Sequence, residues 1–473
     1  MDSPKASCAL PAPAGVLWPA LGTSALGIAA LGIANALVLV WGGSHEAAGS
    51  TARQLIAVLL GTSLGGAAVL WIALDQRFAR LPLRWVLGLA LLLRLIAIQA
   101  SPLLEDDHFR YLWDGLRTAT ALDPYRLPPS AFFGASALSP AWQDVLSGIN
   151  NPDVPTLYGP VLQWLFAAAH WLMPAKVFAI QALLLVVDMA VLFLLAHQGV
   201  GTRGLLVYAV HPLVLKEAMA SAHPDGLVAL LLLLALMAWQ KRSAAVMGVM
   251  LGLAVCAKVA ALVVLPLLWL APPRRPADGP VPTQPHAFED WPLRAIAGFC
   301  LALVALYLPF AWVGGSDASG LATFGTQWRY NPLLYRLVEL VLPGPATRPA
   351  AAFLIVAGTA LLAWRWRSAS RHFKGQALPP LDLALVLLIL LSPVVNPWYW
   401  LWALALSVRL GQGWLAVAVA TAPLAYLNST VLAETTLTFF RLPEGPFAVA
   451  GPAVVAQLLA LGLAWRYRRR LQL

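Results

Sequence analysis

The chain reads as an all-α polytopic membrane protein, and three observations carry that reading. Sixty per cent of its 473 residues are hydrophobic and only 11% are charged, where a soluble globular chain carries about 25% charged residues. Apolar stretches of about 17–25 residues, each enough to cross a hydrocarbon core, recur along the whole length. Basic side chains gather in short loops, namely Arg77/Arg80/Arg84, Arg274/Arg275, Arg365 to Lys374 and Arg466 to Arg470. That is how cytoplasmic anchors are distributed under the positive-inside rule. The formal charge of +10 therefore reports membrane topology, and no nucleic-acid partner is expected.

Taken in order, the candidate spans are 14–41, 52–74, 83–100, 177–198, 203–220, 224–240, 243–257, 258–271, 293–313, 350–364, 380–395, 397–410, 413–432 and 448–466. Several are short or broken by Pro, Gly or a charge, so the expectation is roughly 12–14 transmembrane helices in a single domain covering 1–473. The pairs 243–271 and 380–410 each read as one kinked element or two half-helices, tolerated at depth only where protein or a water-filled cavity satisfies the freed backbone. The first apolar run exceeds the ~7–15 residues of a signal-peptide core and is taken as an uncleaved span. With a cytoplasmic N-terminus, every concentrated basic loop falls on one side, the C-terminus included. Two long loops, about 101–157 and about 314–349, then share the extracytoplasmic side. The apolar segment 158–174 would spoil this parity as a span and is read as a re-entrant or surface helix under the first loop.

The first loop opens on Glu105, Asp106 and Asp107, in a chain otherwise rich in Ala, Leu and Val. At 100° per residue, Asp107, Arg110, Asp114 and Arg117 share one helical face, and Phe109, Leu112, Trp113 and Leu116 the other. The expectation is an amphipathic helix in the interfacial plane, aromatic side on the membrane, broken near Asp123-Pro124-Tyr125 because Pro disfavours helix before it. One of the two aspartates could serve only as an N-cap, and Arg110 and Arg117 could serve only as partners of Asp114. Two adjacent aspartates exceed what a cap requires. A carboxylate pair at a membrane cavity can deprotonate a hydroxyl, orient it, or hold a divalent cation near a departing phosphate.

Other polar islands fall on the same side. NNPDVPTLYGPV holds Tyr158 in a loop entering a helix. SAHPDG places His223 and Asp225 together, a second pair for catalysis or metal binding, with Asp225 as a simple helix cap being the plainer alternative. Lys258 interrupts an apolar stretch where an ammonium could neutralise a phosphate. TFGTQWRYN offers Gln327, Arg329, Tyr330 and Asn331, and SPVVNPWYW puts Asn396 at a Pro-broken tip. Lys216 and Glu217 lie near a helix end, where snorkelling would explain them, and Asp188 sits mid-span with no evident partner. Three cysteines (Cys8, Cys256, Cys300) give no disulfide framework, and no zinc-binding pattern occurs.

The run EDDHFRYLWDGLRTATALDPYR resembles the first extracytoplasmic loop of GT-C superfamily glycosyltransferases, in particular the bacterial polyprenyl-phosphomannose-dependent mannosyltransferases and their uncharacterised relatives. The matching positions are Asp106, Asp107, Arg110, Tyr111, Trp113, Asp114, Gly115, Pro124 and Tyr125. NNPDVPTLYGP, HPLVLKEAMASAHPDG, GTQWRYN and LLSPVVNPWYW echo further family segments in order, across most of 100–410. The resemblance implies a polytopic enzyme of the bacterial inner membrane, with an extracytoplasmic site. It also implies a polyprenyl-phosphate sugar donor, mannose favoured, a lipid or glycan acceptor, inversion at the anomeric carbon, and an acidic base at Asp107 or Asp106. Candidates to bind donor phosphate or substrate are Arg110, Lys258, Arg329, Tyr158, His223, Asp225 and Asn396. A divalent cation (Mg or Mn) would fall to Asp106, Asp107 and His223. The other class compatible with broken helices and intramembrane charge is a secondary transporter or a flippase or binding protein for lipid-linked sugar.

Overall fold

The computed structural model describes residues 14–44, 51–269, 290–370, 377–428 and 451–473. The last residues of the expected span 258–271, most of the loop after it, part of the Arg365–Lys374 cluster and the end of span 413–432 lie outside them. Apart from one isolated bridge, the described chain is helical. In order, α1 (Ala14–Gly42), α2 (Thr51–Leu74) and α3 (Leu83–Ala97) lead into the first loop, which holds α4 (Asp107–Ala121) and α5 (Pro140–Ser147). Then come α6 (Pro160–Leu172), α7 (Val177–His197), α8 (Thr202–Ala209), a π-helical turn (Val214–Ala220), α9 (Asp225–Gln240), α10 (Ala244–Ala257) and α11 (Leu265–Trp269). The remainder is α12 (Trp291–Trp312), α13 (Ala318–Gln327), α14 (Tyr335–Val341), α15 (Thr347–Ser370), α16 (Leu381–Leu391), α17 (Trp400–Arg409), α18 (Gly413–Val419) and α19 (Pro452–Arg466).

Among the described residues, five helices are long and apolar enough to cross a membrane: Gly22–Gly42, Thr51–Leu74, Val177–His197, Trp291–Trp312 and Gly344–Ser370. The π-helical turn and α9 make a sixth if taken together, bent by 109°. The chain is thus a polytopic all-α membrane protein. Several other candidate spans fold as apolar helices of 10–17 residues, among them Ala244–Ala257, Val259–Trp269 and Leu381–Leu391. Both suspected pairs are half-helices. The first breaks at Lys258, the second over 392–399, and the polar groups at each break are what the site uses.

Several of the charges buried within the bundle find charged partners, as burial in apolar surroundings favours. Asp188, without an evident partner in the sequence, accepts from Arg94 Nε at 2.6 Å and from Tyr208 Oη at 2.7 Å. Arg94 belongs to α3, ninety-four residues away, so the pairing needs the fold to exist. Lys216 and Glu217 do not snorkel. They are 2% and 0% exposed, lie 3.1 Å apart and share Tyr426, because the π-helical turn aims both into the bundle.

The amphipathic helix forms as α4, but its aromatic side does not rest on the membrane. Trp113 is 2% exposed and meets Phe132 edge-on, and Phe109 covers Gly148. The rest of the loop folds over that face. The opposite, polar face is equally occupied: Gly115 sets α4 on the backbone of α6, and Tyr111 stacks on Phe166 at 4.8 Å. Leu122, at φ 56°, turns the chain out of α4 just before Asp123.

Candidate functional site

The expected partners of the α4 charges differ from the real ones. Asp114 is bonded not by either arginine but by Thr156 Oγ1 at 2.5 Å and Gln163 Nε2 at 3.1 Å. Burial pushes its carboxyl up to about 6. Arg117 pairs with Asp123 at 2.6 Å. Arg110 donates to the carbonyls of Val154 and Asn151, both at 3.0 Å, so its guanidinium holds the 151–154 turn. This turn directly follows Asn150, and Asn150 is what organises the aspartates. Its Nδ2 donates to Asp106 Oδ1 and, at 3.4 Å, to Asp107 Oδ1.

Neither aspartate acts as a side-chain cap. Asp106 occupies the N-cap position of α4 without a capping hydrogen bond. Asp107 Oδ2 lies 3.4 Å from both the Tyr111 and Tyr158 hydroxyls. Burial raises the Asp107 carboxyl above its ordinary value, while the Lys258 ammonium, Asn150 and Tyr158 pull it back. Asp106 is also raised, by burial and then by the charge of Asp107, with Asn150 opposing.

Lys258 stands at the break between α10 and Val259, across from this pair. Its Nζ binds both oxygens of fully buried Asp225 at 2.9 and 3.0 Å, and Trp402 Nε1 donates to the same carboxylate at 2.7 Å. Asp225 is therefore an ion-pair partner and not a side-chain cap. The rings of Tyr158, Tyr399 and Trp402 surround the ammonium at 5.2–5.7 Å, close enough for cation–π attraction. Gly159 allows the approach: a Cβ there would sit 2.2 Å from the Cys256 carbonyl.

The second loop is pinned to the break after α16. Tyr330 N donates to Pro393 O at 3.1 Å and Val395 N to Tyr330 O at 2.8 Å, forming the isolated bridge. Asn396 donates to Tyr399 Oη at 3.3 Å. Arg329 is engaged by Glu339 at 2.9 and 2.7 Å, half-exposed at the rim.

Two cavities meet at Asp107. One, of about 230 Å³, is apolar and lined by Tyr158, Lys258, Val259, Phe324 and Trp402. The other, of about 700 Å³, is more polar and lined by Glu105, Asp106, Asn150, Arg329 and Tyr426. Asn396, Trp328 and Trp398 line both. Of the residues singled out in the sequence, Asp106, Asp107, Tyr158, Lys258, Arg329 and Asn396 line one or both cavities. Asp225 sits behind Lys258. His223 lies behind the wall, stacked on Trp398 at 3.7 Å, and Arg110 supports the loop from below. Sequence reasoning passed over Asn150 and Trp402. Asn150 stood in a motif read only as a turn, and Trp402 was one of 20 tryptophans.

The sequence model of the alpha-(1->6)-mannopyranosyltransferase N-terminal domain matches residues 14–274, more than half of the chain. The chain belongs to that family. No curated protein and no solved structure matches it. As a mannosyltransferase, it acts on a glycan or lipid-linked sugar. The matched region runs from α1 through α4, the Tyr158 loop, Asp225 and Lys258, so the apolar cavity is walled on one side by it and on the other by α13, α16 and α17.

Among the described residues of this mannosyltransferase no three His, Cys, Asp or Glu side chains come together to hold a divalent cation. His223, named with the aspartates as a candidate, points Nδ1 at Tyr111 Oη and its ring at Trp398. No step below runs through a metal.

The close seat of α4 on α6 gives a test of the scaffold. Gly115→Ala would put a Cβ 2.4 Å from Phe166 O and 2.8 Å from its carbonyl carbon. Backbone cannot yield as a side-chain tip does, so the variant is expected to lose about 1–3 kcal/mol. A lowered unfolding temperature in detergent, with transfer activity falling in parallel, checks this. An unchanged transition would show that α4 is free to shift.

Proposed function

We propose that the enzyme moves mannose from a polyprenyl-phosphate donor to an extracytoplasmic lipid or glycan acceptor, inverting the anomeric carbon, with Asp107 as the base. The observation that carries this reading is the meeting of two unlike cavities at one carboxylate. An apolar cavity with a single ammonium at its inner end suits a prenyl chain and its phosphate. A polar cavity with amides, carboxylates and indole faces suits a sugar. In this arrangement an acceptor hydroxyl in the polar cavity gives its proton to Asp107 and attacks the anomeric carbon. Lys258, fixed by Asp225 and desolvated by its aromatic surround, stabilises the charge left on the departing phosphate. Asn396 and Tyr158, at the junction, orient the sugar. The loop placement suits a GT-C-like enzyme of the bacterial inner membrane, termini cytoplasmic.

The experiment offers membranes holding the full chain either polyprenyl-phosphate mannose or nucleotide-linked mannose, with a mannan-type acceptor. Transfer from the lipid-linked donor alone is expected. Transfer from the nucleotide donor in preference would refute the donor assignment.

A further inference from the structure

Behind Asp107 lies a buried chain of groups that the transfer mechanism has not used. Tyr111 Oη is 3.4 Å from Asp107 Oδ2 and 3.0 Å from His223 Nδ1. On the far side of the imidazole, Nε2 makes no hydrogen bond and faces Glu217 Oε2 at 3.6 Å. Both rings are held. Tyr111 stacks on Phe166 and meets Tyr158 edge-on, and His223 stacks on Trp398 with 14° between planes. What remains free to move is the phenol proton.

A hydroxyl has one proton to give, and here the Asp107 carboxylate and His223 Nδ1 compete for it beside the Tyr158 hydroxyl, which also meets Tyr111. Which one receives it depends on the tautomer of His223, assigned from its surroundings. A carboxylate opposite Nε2 draws the ring proton to that nitrogen. Nδ1 is then a bare acceptor and takes the phenol proton, the shorter of the two contacts. Were the ring proton on Nδ1, it would point at Tyr111, and the phenol proton would turn to Asp107. A hydrogen bond to the ionised form of a carboxylate weakens it as a base. The groups facing this set are few. Asp107 also meets Asp106, Arg110, Asn150, Tyr158 and Lys258. Glu217 meets Lys216 and Tyr426 and is near the Glu105 and Asp225 carboxylates. Asp225 also faces Tyr111, and Lys216, Lys258 and His108 lie around His223.

We propose that His223 is a positioning residue for the transfer reaction. It holds the Tyr111 proton away from Asp107, and Glu217 keeps it in the tautomer that does so. Substrate need not touch any of the three. This rests on Asp107 being the base.

The test is suppression, measured as kcat and KM for the lipid-linked donor on the full chain in membranes. His223→Phe removes the Nδ1 acceptor and frees the phenol to bind Asp107, so kcat is expected to fall about tenfold with KM for the donor steady. Adding Tyr111→Phe to that variant removes the misdirected proton and is expected to raise kcat again by about fivefold or more. His223→Asn, whose Oδ1 takes the place of Nδ1, is expected to stay well above His223→Phe. Glu217→Gln keeps the shape and removes the charge. Its kcat is expected to fall in the same way and to recover with Tyr111→Phe, which keeps the test open if His223→Phe does not fold. A purely structural role predicts the opposite order, each double variant as slow as its parent or slower, and that result overturns the proposal. Asp107→Asn is measured alongside: turnover at the wild-type rate there would show that the base assignment had failed, not the part played by His223.

Discussion

Asp107→Asn is expected to lower kcat for mannosyl transfer by about 10²–10⁴-fold, the range a positioned general base contributes, with little change in KM. The amide is nearly isosteric and leaves Asn150, Tyr111 and Tyr158 in place, so the loss would be chemical. Asp106→Asn is expected to cost much less, because Asp106 lines the polar cavity alone while Asp107 lines both. The wild type should also lose activity in acid at a higher pH than an ordinary aspartate would dictate. Burial raises the Asp107 carboxyl, so it takes up a proton, and ceases to be a base, at a pH where an ordinary aspartate is still ionised. A pH–rate profile of kcat checks both points. An acid limb at or below the ordinary aspartate value, or an Asp106 variant as damaged as the Asp107 one, would move the base elsewhere.

Lys258→Met carries the second large effect, and it acts on fold and chemistry together. Asp225 is 0% exposed and keeps only the Trp402 indole once the ammonium is gone. Removing one partner of a buried pair leaves an uncompensated charge and costs about 3–5 kcal/mol. The single variant should therefore unfold at a much lower temperature in detergent. Lys258→Met with Asp225→Asn removes the stranded charge and should recover most of that stability without recovering transfer, because nothing would then meet the leaving phosphate. Recovery of both would make the pair structural only.

The class of fold was legible because hydropathy and basic-loop placement are local quantities, summed along the chain. The acidic run, Tyr158, Lys258 and Asn396 were legible for a related reason: each is a polar interruption at the end of an apolar stretch, and the structure brings them to two adjoining cavities. Partner choice was not legible. Helical spacing offered Asp114 to Arg110 and Arg117, yet Thr156 and Gln163 claimed it once α6 packed on α4. Asp188 found Arg94 across the bundle, and Glu217 turned inward on a π-helical turn that no periodicity announces. The aromatic face of α4 looked like a membrane face because its covering, Phe132 and the Gly148 turn, comes from a loop without pattern of its own.

The central claim is a single displacement at the anomeric carbon, with Asp107 taking the acceptor proton where the two cavities meet. One base and one attack on the carbon opposite its leaving phosphate can only invert it. The direct measurement is the anomeric configuration of the new glycosidic bond, read by NMR on product made from a polyprenyl-phosphate mannose of known configuration. The account predicts the opposite configuration in the product. Retention would require a glycosyl-enzyme intermediate and a second displacement, and would contradict it.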